Sequence, residues 1–214
     1  MTEHARAMRR LVTRFFPPPI RTPDALGGFL VGQANYVTQR VTYEFCRNTL
    51  GYFGQHMFAD LRFQAQERLC RWEGFAAVLA DGLVLAEGLL RPAAPAPLSA
   101  LRAGLITLYA DGLAAQPEPV HRADGFADLV DSFAHRLDRV AEIEPRPVRD
   151  IAHTGARRVY DVLPIYSGNE AADREGIDRA MLFCLISVTD QLSRRLDAAA
   201  VGAALVAAHA DKVA

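Results

Sequence analysis

The sequence predicts an all-α protein: one helical-bundle domain of about six or seven helices built on a long antiparallel hairpin. Three features of the chain lead there. From His56 to Arg91 a seven-residue apolar repeat runs unbroken, with Phe58, Ala65, Trp72, Leu79 and Ala86 on one line and Leu69, Ala76, Leu83 and Leu90 on a second. That is the spacing of a helix packed along its length, and from Phe75 onward the segment is apolar nearly all round, as a central helix must be. Prolines, which cost about 3 kcal/mol inside a helix, cluster between such segments: Pro17 to Pro23, Pro92 to Pro97, Pro117 and Pro119, Pro145 and Pro147, and Pro164. No stretch sustains the apolar/polar alternation that a half-buried strand needs.

The elements follow in order. Residues 1–22 read as a basic amphipathic N-terminal arm, with Arg6, Arg9, Arg10 and Arg14 beside Leu11, Val12, Phe15 and Phe16, and residues 23–214 as the helical domain. Membrane-surface contact through residues 1–16 is the less favoured use of that arm, against a terminal helix that folds back on its own domain. Thr22-Pro23 opens a helix over 24–53, with Leu30, Val37, Val41 and Phe45 inward. Gly51 and Gly54 interrupt it before the partner helix, 56–91. Helices over about 98–115, 121–143 and 148–163 carry stripes led by Leu101 and Leu105, by Phe133 and Leu137, and by Ile151 and Val159. Ser167-Gly-Asn-Glu170 matches a capping box opening the second central helix, 170–197, and an alanine-rich tail from Ala198 to Ala210 either frames a self-association surface or frays.

Composition narrows the function classes. A formal net charge of −1 removes the basic face that nucleic acid requires. Cys46, Cys70 and Cys184 are far apart and sit in apolar helical patterns, which fits free thiols in a reducing compartment. With no secretory h-region and no membrane-length apolar run, the expected location is cytoplasmic. The sequence holds no nucleophile elbow, no phosphate-cradling or dinucleotide glycine loop, no His-Glu-x-x-His and no Cys-x-x-Cys, so enzymatic activity is disfavoured and no cofactor is expected.

Candidate sites are therefore sought among polar residues out of place. Asp81 and Glu87 interrupt the apolar half of the central helix, and a desolvated carboxylate must be paired, hydrogen-bonded or protonated. An arginine partner is the favoured reading; removing the Asp81 charge as Asp81→Asn then costs about 3–5 kcal/mol. Tyr36, Tyr43 and Trp72, with Tyr109, Tyr160 and Tyr166, are aromatic residues that line either a ligand pocket or plain core. Asp131, His135, Asp138 and Glu142 on one helix and Asp150, His153, Arg157 and Asp161 on the next resemble a bundle metal set, but they lie opposite the apolar stripes and lack the paired Glu-x-x-His, so no metal site is expected. The leading functional expectation is a non-enzymatic helical protein acting through protein–protein contacts, as adaptor or homodimer, because helix 56–91 carries a third apolar line of Phe63, Cys70, Ala77 and Val84. The alternative is a small-molecule-binding protein or enzyme with a ligand pocket between the central helices near Asp81, using Asp81, Glu87, Tyr36, Tyr43 and Trp72.

Overall fold

A computed structural model of the chain describes residues 18–117 and 119–213; the basic amphipathic helix expected over residues 1–16 lies outside the described residues. Among them are eight helices and no strand: α1 (Pro23–Leu50), α2 (Gly54–Ala59), α3 (Leu61–Leu90), α4 (Leu98–Ala114), α5 (Ala127–Ala141), α6 (Val148–Asp161), α7 (Glu170–Arg195) and α8 (Ala198–Val213). No helix of the described residues is long and apolar enough to cross a membrane. The architecture is the all-α bundle that the periodicity predicts.

Helix α3 is the axis, packing against all seven of the others. From Trp72 to Glu87 every residue except Ala77 is buried, which is why this stretch carries apolar side chains on every side. Phe63, Cys70 and Val84 of the third apolar line are buried within the chain. The surplus face that suggested a homodimer is thus covered by the chain's own helices except at Ala77. Helix α1 crosses α3 closely because residue 74 is glycine: a methyl there would lie 2.7 Å from Thr38 Cγ2 and 3.1 Å from Val159 Cγ2.

Several boundaries differ from the sequence reading. The 56–91 segment breaks at Asp60, whose carboxylate Oδ1 accepts from the amides of Arg62 and Phe63 at 2.8 and 2.9 Å and starts α3 afresh. The first turns of α3 pack only through Phe63, in a small separate cluster with Cys46 and Leu50, leaving Ala65 exposed. Helix α5 begins six residues later than residue 121, because Val120–Arg122 form a 3-10 turn and Gly125 adopts a left-handed φ of 84°. No capping box forms at α7. Its cap is Asn169, which accepts from Ala172 N–H at 3.2 Å, while Ser167 donates instead to Asp173, from its hydroxyl at 2.5 Å and its amide at 2.8 Å. The alanine-rich tail is a core helix: α8 packs on α4, with Val201 and Leu205 buried. Ile20, assigned to the arm by sequence, is 1% exposed and fills the break between α7 and α8, donating to the Arg195 carbonyl and accepting from Asp197 N–H at 2.8 and 2.9 Å.

Candidate functional site

Three carboxylates interrupt the buried half of α3, and each holds an outer element against it. Glu73, 3% exposed, is the most heavily partnered. Its Oε1 accepts from Arg122 Nε at 2.6 Å and from His121 Nε2 at 3.0 Å; its Oε2 accepts from Arg158 Nη2 at 2.6 Å and Arg122 Nη2 at 3.2 Å. Burial works to raise this carboxyl, yet the Arg122 and Arg158 bonds prevail and hold it down at about 2. Arg122 also grips both oxygens of Asp128 through Nη1, at 2.9 and 3.0 Å. The 3-10 turn, the start of α5 and the end of α6 are thereby bound to one buried acid. Trp72 lies beneath them, with the His121 ring edge-on at 5.7 Å and the Arg122 guanidinium 5.4 Å from its centroid.

Asp81 is fully buried. Gly155 N–H of α6 donates to its Oδ2 at 3.1 Å, and Arg136 Nη2 of α5 stands 2.7 Å from Oδ1, an ion pair without the alignment of a hydrogen bond. Burial pushes this carboxyl up to about 6, against the opposing pull of the Arg136 charge and the Gly155 amide. A methyl at residue 155 would sit 2.3 Å from Oδ2, so only glycine admits the carboxylate there. Glu87 is held by Arg91 of its own helix through a two-pronged contact at 2.8 and 2.6 Å, and Arg91 reaches on to the Val140 and Ile143 carbonyls at the end of α5, at 3.0 and 2.7 Å.

Between these anchors α3, α4, α5 and α6 leave an open cleft of about 360 Å3. Its floor is Ala76, Ala77 and Ala80, small side chains on the face of α3 over which α5 and α6 diverge. Tyr109, Leu129 and Phe133 form apolar walls, the Tyr109 and Phe133 rings being 4.6 Å apart. Glu73, Asp128, Arg136, Arg158, Ser132 and Thr154 supply the polar rim. A second opening of about 500 Å3 around His121 and Asp124 shares Glu73 and Asp128 with it. Among the described residues neither Ser132 nor Thr154 is bonded to an imidazole or carboxylate, so the cleft contains no activated hydroxyl. Asp81, whose raised pKa would suit a general base, meets the cleft only through Arg136.

The five residues singled out from sequence are not brought together. Asp81 and Glu87 each carry the arginine expected of them, Trp72 lies under His121, and Tyr36 and Tyr43 are 54% and 49% exposed on α1, where Tyr36 accepts from Arg40 and Tyr43 stacks near Phe58. None of the five lines either opening; of the six aromatic residues named from sequence, Tyr109 alone does. The acids and histidines of the bundle-metal pattern are all exposed, as is Arg157, and no group of three metal-ligating residues forms among the described residues. Missed by sequence were Glu73, His121, Arg122, Arg136 and Arg158. Glu73 carried the same signal as Asp81, a carboxylate in the all-round apolar register beside Trp72; the histidine and three arginines carried none, since nothing local separates them from the other arginines and histidines. Comparison with protein-family models, curated proteins and solved structures finds no match to this chain.

Proposed function

We propose that this protein is a non-enzymatic binding protein whose ligand is a small organic molecule seated in the α3–α6 cleft. One observation carries the reading: an opening within the size range of small-molecule sites combines an apolar floor and walls with a few convergent polar groups that are themselves held in place by buried partners. Arg136 and Arg158 are fixed by Asp81 and Glu73, so the site is organised before a ligand arrives, which lowers the ordering cost of binding. The test is amide NMR during addition of a small set of cationic, neutral and anionic aromatic compounds. Expected are selective shifts at Ala76, Ala77, Ala80, Ser132 and Phe133. A set that moves none of these amides, or only residues elsewhere, sinks the reading.

Docking of a protein partner or a second copy is the other reading, and it has one observation in its favour. Phe183 and Ile186, one turn apart on α7, are 67% and 53% exposed and offer an apolar contact point at the surface. Light scattering decides its self-association form: a mass near 23.5 kDa across the micromolar range leaves only a foreign partner.

A further inference from the structure

Resting on the cleft reading above, we propose that the ligand is a small organic carboxylate with an apolar body, its carboxylate held by Arg136 and Arg158 and its body lying over Ala76, Ala77 and Ala80. The inference follows from which hydrogen-bonding groups of the cleft are already satisfied. Each oxygen of Glu73 takes two donors, and both oxygens of Asp128 accept from Arg122. Glu73 thus has nothing left to offer a cationic ligand, and Asp128 is the one acid of the rim with acceptor capacity to spare. A guanidinium has five N–H donors. Among the described residues the partner of Arg136 is Asp81 and that of Arg158 is Glu73, each paired through Nη2, and neither guanidinium meets a further hydrogen-bond acceptor there, although both side chains line the cleft. What the site lacks is an acceptor, and a planar carboxylate matches guanidinium geometry. Because the formal charges of Arg122, Arg136 and Arg158 are balanced by Glu73, Asp128 and Asp81, selection comes from directed donors more than from a net positive field, and binding should weaken only modestly with salt.

Phenylacetate and octanoate serve as carboxylate probes, phenylacetamide and phenethylamine as neutral and cationic counterparts, and acetate as a carboxylate without a body, each titrated at constant ionic strength and followed at the cleft amides. Phenylacetate is expected to bind at least tenfold tighter than phenylacetamide, phenethylamine or acetate. Arg158→Gln, at a side chain 44% exposed on the rim, is expected to weaken phenylacetate at least fivefold and leave phenylacetamide unchanged, with the fold checked by circular dichroism. Ala77→Phe, which fills the floor, should abolish both. If phenylacetamide or phenethylamine binds as tightly as phenylacetate, or acetate equals it, the carboxylate assignment is overturned while the cleft stands. If no probe reaches the cleft, both fail.

Discussion

At the scale of single residues, the informative feature is that the two halves of the Asp81–Arg136 pair are unequally buried. Asp81 is 0% exposed, while the Arg136 side chain is 17% exposed and opens on the cleft. Removing Arg136 strands a carboxylate with no route to water, and Arg136→Gln is expected to cost about 3–5 kcal/mol at pH 7.5, a large part of the roughly 5–15 kcal/mol a domain has. Removing Asp81 strands nothing, because Arg136 keeps water. Asp81→Asn should therefore melt at or above the parent at pH 7.5, the reverse of what a bare arginine partner implies from sequence, since burial outweighs pairing at this carboxyl. The folded carboxyl takes its proton at about 6 and the unfolded one near 3.9, so the parent gains up to ~3 kcal/mol as pH falls from 7 to 4, and the advantage of Asp81→Asn should shrink through pH 6. Glu73 works in the opposite sense. Its folded value of about 2 lies below the unfolded value of roughly 4.3, so its stabilisation is present above that pH and is lost as pH falls towards 2. Thermal melts of both variants between pH 3 and 8 measure these slopes, and a more stable Arg136→Gln would refute the asymmetry.

At the scale of elements, α5 is a helix with few buried apolar side chains. Only Phe133, Leu137 and Val140 of its residues are buried, and its tethers are ionic: Asp128 through Arg122 to Glu73, Arg136 to Asp81, and its last carbonyls to Arg91. One wall of the cleft is thus held mainly by charge. Helix α3 has, besides its buried face, a capped start. Asp60 holds two otherwise unpaired amides of α3, and Asp60→Ala should lower stability by about 1 kcal/mol, read by urea unfolding, without disturbing the cleft amides of α3, more than about four turns away. A loss of several kcal/mol would mean that the α2–α3 break is part of the core.

At the scale of the whole molecule, a helix touching every other helix makes local unfolding difficult, and the chain should unfold in one transition with equal calorimetric and van't Hoff enthalpies. Trp72→Ala, at a side chain 9% exposed beneath His121 and Arg122, should lower that transition by about 3–5 kcal/mol without dividing it. Two separated transitions would show that α5 and α6 melt independently of the α1–α3 pair.

How far the fold was legible follows from the range of the interactions behind each feature. Proline clusters, the Thr22-Pro23 start and three- and four-residue apolar spacing act over a few residues, so the order of the long helices and the central place of residues 75–90 are written locally. Caps were less secure. Asn169 and Ser167 both suit a helix start, and the choice fell to Asn169 because Asp173 took the serine hydroxyl. Of the cleft, only Tyr109 and the buried-carboxylate signal of Glu73 were legible. Glu73 meets Arg122 at a separation of 49 residues and Arg158 at 85, and no spacing rule links them. Asp81 announced itself as a buried charge, but which arginine would answer it, and whether that arginine would face the core or an opening, depended on how α5 and α6 splay over three alanines. Helical pattern records which side of a segment avoids water; the space left between segments, and the charges that converge there, arise only when distant parts of the chain pack together.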